Sequence, residues 1–353
     1  MMSIQQLLET VIKKDASDLH LVVGQPPMYR VDGDLTAIPG EEILTLEAAQ
    51  TLIFDLLTSE QKELILVNKE LDFSFGLGDV ARFRVNAYYQ KGYLSSSLRL
   101  IPSNIKTVEE LQLPKSLHNF AKMRQGFVLV TGPTGHGKST TLASIINEIN
   151  LDNPMHILTI EDPIEYVYPR GRALVSQREL HLDTHSWDIA LRSALREDPN
   201  VVLVGEMRDY ETIAAALTIA ETGHLVFATL HTNSASQTID RIVDVFPENQ
   251  QEQVRIQLSN TLAGIVSQRL MPALGGGRVP AVEILIGTPA IRNLIREGKT
   301  HQIDSALQTS SEQGMVTLDA SLATLIKAGR ISEEVGLSYS TRPDQLMRLV
   351  RGV

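Results

Sequence analysis

The chain of 353 residues contains no cysteine. That absence excludes disulfides and any zinc or iron–sulfur site held by thiolates, and it suits a reducing cytoplasm. Aromatic residues are only 5%, with a single Trp. No apolar run is long enough to cross a bilayer. Residues 1–15 carry acid and amide groups among apolar ones, so no signal peptide is expected there. Positive charge is in the minority. The net charge of −10 speaks against extended binding of a phosphate backbone, a local basic channel aside. What is present, 43% hydrophobic and 21% charged residues, is the composition of a globular protein long enough for two domains.

In the first hundred residues, Ile4, Leu7, Leu8, Val11 and Ile12 form one face of an amphipathic helix. Residues 18–23 read as a strand, and 28–31 and 35–38 flank Asp32-Gly33-Asp34, a hairpin signal. Helices are expected over 45–57 and 59–68, and strands over 71–75, 81–89 and 93–101. Together they predict a small α+β domain, 1–101, with an antiparallel sheet. The polar stretch 102–115 reads as a linker, with a helix over 114–124 entering a second domain, 116–353. There the apolar runs 127–131, 155–160, 201–204 and 225–229 alternate with helices, which predicts a mostly parallel sheet with its ligand at the carboxyl edge. Past residue 249 the expectation is largely helical, with a Gly275-Gly276-Gly277 turn and a short strand near 282–286.

Gly132-Pro133-Thr134-Gly135-His136-Gly137-Lys138-Ser139 fits G-x-x-x-x-G-K-[ST] between an apolar strand and a helix. The glycines let the backbone curl so that successive N–H groups point at phosphate oxygens, and the helix adds the positive end of its dipole. Lys138 is expected to reach the β- and γ-phosphates and the Ser139 hydroxyl to hold Mg²⁺, with Thr140 closing the binding segment. The chain is therefore expected to bind a nucleoside triphosphate.

Phosphoryl transfer also needs a metal clamp, an oriented water and positive charge at the phosphates. The run 157–160 ends in Glu161-Asp162-Pro163-Ile164-Glu165, whose carboxylates are candidates to order a water or to meet Mg²⁺, directly or through water. The run 201–204 is followed by Gly205-Glu206, a Walker B pattern in which Gly205 takes the place of the usual Asp. Glu206 is then a metal-shell or base candidate, and the sequence does not divide those roles among Glu161, Glu165 and Glu206. His224 and His231 bracket 225–230, and either is a candidate γ-phosphate sensor; no third ligand lies at zinc spacing. The arginine candidates are Arg192, Arg196 and Arg208, and Arg82, Arg84 and Arg99 of the first domain.

With these motifs in hand, the sequence resembles a known family. Residues 132–139, 160–166 (IEDPIEY), 191–209 (LRSALREDPNVVLVGEMRD) and 222–235 (TGHLVFATLHTNSA) resemble the Walker A, Asp box, Walker B and His box of the secretion ATPases. These are the hexameric motors of type II and type IV secretion and of type IV pili. Ala290-Ile291-Arg292-Asn293-Leu294-Ile295-Arg296 matches the AIRNLIR motif of the retraction branch, and Ala16-Ser17-Asp18-Leu19-His20 and Arg82-Phe83-Arg84-Val85-Asn86 look like it as well. Assembly-branch relatives usually carry an extra N-terminal domain and a four-cysteine metal site, and this chain has neither the length nor any Cys, which favours retraction.

The resemblance implies an α/β fold: a RecA-like P-loop NTPase core, a smaller PAS-like N-terminal domain, and nucleotide between them. It implies Lys138 and Ser139 as the Walker A lysine and hydroxyl and Glu206 as the Walker B glutamate. Glu161, Asp162 and Glu165 become the Asp box, His224 and His231 the His box, and Arg84 and Arg99 the N-domain arginines that reach the phosphates. It also implies a homohexamer at the cytoplasmic face of the inner membrane, hydrolysing ATP with Mg²⁺ to drive pilus disassembly. Its partners would be a membrane platform protein and a paralogous retraction ATPase, with no nucleic acid. His136 stands where Ser is common, and Asn200 where Asp is common. A low-activity accessory subunit and a nucleic-acid translocase on the same core remain as alternatives.

Overall fold

Alternating apolar residues build the first of two sheets in this computed structural model, which describes residues 2–31, 33–78, 80–101 and 104–352. Its six strands are β1 (Asp18–Leu21), β2 (Met28–Val31), β3 (Asp34–Ala37), β4 (Glu70–Leu77), β5 (Ala81–Gln90) and β6 (Tyr93–Ile101). They pair antiparallel in the order β3-β2-β1-β6-β5-β4. Asp32 of the expected hairpin turn and Pro102 and Ser103 of the expected linker lie outside the described residues. The helix Ile4–Lys13 starts at a capping box, in which Ser3 and Gln6 satisfy each other's backbone N–H groups. It buries Leu7, Leu8 and Val11 in a core shared with Leu19, Ile53, Phe83 and Leu98. The chain divides into two units, the first being this domain up to residue 104 together with 163–167.

The second unit holds a seven-stranded sheet: β7 (Gly126–Thr131), β8 (His156–Glu161), β9 (Leu174–Glu179), β10 (Val201–Val204), β11 (Leu225–Leu230), β12 (Leu262–Pro272) and β13 (Arg278–Ile286). The order is β13-β12-β7-β11-β10-β8-β9, with β13 antiparallel and all other pairs parallel. Every residue of β10 and β11 is buried. Unbroken apolar runs without alternation are what a parallel sheet covered on both faces requires. The centre of the sheet therefore matches its sequence signal, and its margins depart from it. Residues 262–272, expected to be helical, form the long strand β12, and the polar strand β9 at the opposite edge carries no apolar signal.

Residues 105–115, read as part of a linker, pack into the second unit: Ile105, Val108 and Leu113 are buried. The expected helix over 114–124 is only the short turns Lys115–Leu117 and His118–Ala121. His118 ties this segment to the helix Lys138–Asp152. Its Nδ1 lies 2.6 Å from Glu148 Oε2 and its Nε2 2.8 Å from Glu109 Oε1. Carboxylates only accept, so both ring nitrogens donate and the ring is an imidazolium. The bonds to Glu109 and then Glu148 hold its pKa above the ordinary value. A raised folded-state pKa stabilises fully below the unfolded value, about 6.5, and that contribution disappears as pH rises through the raised value. We expect the melting temperature to decline across that alkaline-going window. His118→Gln should flatten the decline, and an unchanged pH profile in calorimetry would show that the clasp contributes nothing.

Candidate functional site

The loop between β7 and the helix Lys138–Asp152 lies at the carboxyl edge of the parallel sheet, where ligands bind in such folds. Two of its glycines are required conformationally, and Gly132 sterically as well. Gly132 (φ 141°) and Gly137 (φ 82°) have left-handed-side backbones. A Cβ on Gly132 would fall 2.3 Å from the Gln268 carbonyl oxygen, and one on Gly137 would fall 2.8 Å from Gln268 Nε2. Gly135 instead faces open space. Lys138 Nζ donates to the carbonyls of Gly132 (2.9 Å) and Pro133 (3.1 Å), which holds the ammonium across the loop. Pro133, Thr134, Ser139 and Thr140 are half-buried or exposed along the same turn.

His136 is built into the loop rather than pointing at a ligand. Its Nδ1 accepts from the Leu270 backbone N–H at 3.0 Å, and its carbonyl accepts from Gln268 Nε2 at 2.8 Å. Burial, followed by the charges of Arg269, Lys138 and Arg278, holds its pKa below the ordinary value. The ring is then neutral at pH 7, as an accepting Nδ1 demands.

Glu206 follows β10 and His231 follows β11, so both strand tips deliver them beside the loop. His231 Nε2 is 2.7 Å from Glu206 Oε1, and its Nδ1 is 3.3 Å from Thr134 Oγ1. The other side of Glu206 is gripped by Arg208, with Nε 2.8 Å from Oε1 and Nη2 2.8 Å from Oε2. Burial alone would raise the Glu206 pKa, but the hydrogen bond and charge of Arg208, with the neighbouring His231, outweigh it and hold the carboxyl below its usual range. Gly205, in the place of the usual Walker B aspartate, is closely packed: a Cβ there would meet Glu161 Cα and the Ile160 carbonyl oxygen, each at 3.2 Å. Its amide donates to that same carbonyl at 2.8 Å.

Glu161 ends β8 beside β10. It is buried and accepts from Thr159 Oγ1 at 2.7 Å and Gln177 Nε2 at 3.3 Å. Asp162 is exposed next to it, and its charge acts on Arg208. Among the described residues no cluster of three His, Asp or Glu side chains is gathered to hold a metal alone. That fits Mg²⁺, which keeps waters and phosphate oxygens in its shell and takes one or two protein groups. The Ser139 hydroxyl and a carboxylate from this edge are the groups that would hold it. The glycine-lined turn, the Lys138 ammonium and the helix N-terminus likewise fit a chain of phosphates.

Of the predicted residues within the second unit, His224 is not gathered at this edge. His224 precedes β11 and sits at the opposite, amino edge of the sheet. Its carbonyl accepts from the Gly126 amide at 3.0 Å, and its Nδ1 is 3.1 Å from the Ile219 carbonyl. The six residues of β11 separate it from the loop by about 20 Å. Within this chain it is a strand-end residue, and of the two candidate histidines it is His231 that lies beside Glu206. Glu165 is exposed in the segment 163–167 that groups with the first unit. Arg84 and Arg99 are paired across β5 and β6 in that unit, both exposed, and Arg99 Nε lies 2.9 Å from Asp18 Oδ1. Asn200 is also at the amino edge, where its Oδ1 accepts from the His156 amide at 2.8 Å. Sequence reasoning missed Gln268, the residue that packs hardest against the loop. The segment Pro289–Arg296 buries Ile291 and Ile295, and Arg292 Nη2 donates to the Leu262 carbonyl at 3.1 Å, so its apolar face packs internally.

Comparison with known proteins places nearly the whole chain beside characterised relatives. The family described as Type II/IV secretion system protein matches residues 1–277. "Type IV pilus retractation ATPase PilT" of Pseudomonas aeruginosa is 53% identical over 335 residues, 94% of this chain and 96% of that protein. "Type IV pilus ATPase PilU" of the same organism is 38% identical over 351 residues, 99% of this chain and 92% of that protein. A solved structure described as "Crystal Structure of the Pilus Retraction Motor PilT and Bound ADP" is similar with a TM-score of 0.92 at 47% identity, covering 99% of this chain and 100% of its own.

Proposed function

The chain belongs to the type II/IV secretion system protein family and is an ATPase of the pilus-retraction kind, and from that premise we propose a magnesium-dependent homohexameric motor that dismantles type IV pili. It acts through an inner-membrane platform protein, at the cytoplasmic face of that membrane, alone or beside a paralogous retraction ATPase. No nucleic acid takes part. Among the described residues no helix is long and apolar enough to cross a membrane. Identity of 53% to the retraction ATPase against 38% to PilU supports the retraction motor over a PilU-like role.

The observation that carries this reading is the chain of contacts Thr134–His231–Glu206, which joins the tips of β7, β11 and β10 at one edge. Backbone N–H groups of the loop and the helix N-terminus hold the phosphates, and Lys138 places charge on the β- and γ-oxygens. Ser139 would hold Mg²⁺, with Glu161, Asp162 or Glu206 meeting it directly or through water. When bound, the ion neutralises charge on the phosphates. Glu206, kept ionised, orients the attacking water, and His231 reads whether the γ-phosphate is present. Arg84 and Arg99 are the arginines proposed to meet phosphate charge, and Arg99 would trade its Asp18 contact to do so. Loss of the γ-phosphate removes contacts that only the triphosphate makes, and that differential stabilisation turns hydrolysis into movement.

Deletion of the gene in its host tests this. Cells should keep pili on their surface and lose surface motility, with rescue by the wild-type gene. Loss of the pili themselves, or unaltered motility, would contradict retraction.

A further inference from the structure

We propose that Gln268 of β12 is the positioning residue of the phosphate loop: its amide fixes the loop's curl and so sets nucleotide affinity. This rests on nucleotide binding by that loop, as proposed above.

The last registered pair between β12 and β7 is Ser267 opposite Thr131. Gln268 is therefore the first residue beyond the pairing, level with Gly132, where strand becomes loop. It is only 3% exposed. Its backbone carbonyl oxygen fills the place of a Gly132 side chain, and its Nε2 fills that of Gly137. The side chain uses both ends of its amide. Nε2 donates to the His136 carbonyl at 2.8 Å, and Oε1 accepts from Thr141 Oγ1, in the first turn of the following helix, at 2.7 Å. One residue thus touches the start, the middle and the end of the loop and the helix it leads into. The neighbour Leu270 adds its backbone N–H to His136 Nδ1.

The consequence for a ligand follows from peptide geometry. In a trans peptide the C=O and the next N–H point in opposite directions. Turning the His136 carbonyl back onto Gln268 therefore turns the Gly137 N–H away from that side chain, and we take it to face the ligand. A donor fixed in advance costs a ligand no ordering when it binds. Gln268 makes no demand on the phosphates itself and acts through the loop backbone. The glutamine amide serves both partners at once: its nitrogen donates to the carbonyl, and its oxygen accepts from the hydroxyl.

The test titrates magnesium-ADP into the full-length protein by calorimetry, for wild type, Gln268→Leu, Gln268→Glu, Thr141→Val and the Leu/Val double variant. Gln268→Leu should weaken binding roughly tenfold, the scale of orphaned buried hydrogen-bonding groups. Gln268→Glu has the same size and keeps the acceptor for Thr141, yet it sets an oxygen against the His136 carbonyl, so it should weaken binding at least as much. A side chain that only filled space would leave Thr141→Val, which adds no charge beside the phosphates, silent. Thr141→Val should weaken binding about threefold, and little further on the Gln268→Leu background, because the bond is already gone. Should Gln268→Leu fail to fold, Gln268→Glu and Thr141→Val carry the same comparison. All variants binding within twofold of wild type would overturn the role of Gln268 while leaving nucleotide binding intact. A wild-type protein that bound no ADP would instead take down the loop's assignment and this one with it.

Discussion

Replacing Lys138 with Ala should cut ATP hydrolysis by at least about a hundredfold, the scale on which removal of one preorganised charge-stabilising group slows catalysis. The ammonium is held within the loop, bonded across it to the carbonyls of Gly132 and Pro133. Of the neighbouring cations, Arg278 Nη1 reaches the Gly135 carbonyl of the same loop at 3.3 Å, and Arg269 Nη2 is bonded to the Asn233 carbonyl. Without Lys138, the ammonium held across the loop is gone, and the magnesium ion and backbone dipoles do not replace its charge on the β- and γ-oxygens. Phosphate release under saturating ATP is the measurement, with circular dichroism as the control for folding. Turnover at the wild-type rate in a folded variant would remove this loop from the reaction.

Glu206→Gln should separate binding from chemistry. Its carboxylate is shared between Arg208 and His231, and the combined pull of those partners, against the effect of burial, keeps it ionised. A carboxylate with a depressed pKa is a poor proton acceptor on its own, since general-base efficiency is greatest when the pKa lies near the working pH. Its value lies in fixed charge that orients a water, with His231 at 2.7 Å as its partner. The glutamine variant keeps the size and loses the charge. Turnover should fall roughly a hundredfold while ATP binds within a few-fold of wild type. Loss of binding instead would assign Glu206 to holding the edge of the sheet together.

How much of this is legible in the sequence follows from which signals are local. The phosphate loop reads without structure because glycine spacing, strand and helix are all contiguous, and the apolar runs of β10 and β11 need no partner to be recognised. β12 is not legible in that way. Its residues 262–268 are all buried, so they show no strand alternation, and they follow the helix Glu248–Thr261 with no proline or glycine breaker between them. Gln268 is lost along with that strand, since its meaning lies in a loop residue 132 positions away in sequence but adjacent in space. The two histidines show the opposite case: both flank β11, and only strand direction says that His231 reaches the site while His224 lies at the far edge. The grouping of Glu165 with the N-terminal unit is a tertiary fact with no local trace. The AIRNLIR segment reads equally well as packing or as partner contact, and the burial of Ile291 (1%) and Ile295 (0%) decides for packing on that face.

The most direct measurement is phosphate release from ATP by the purified protein, with and without magnesium, beside the Lys138→Ala preparation. An ATPase working through this loop releases phosphate only when magnesium is present, and the variant releases almost none. No release from the wild-type protein with magnesium present, or equal release from the variant, would contradict it.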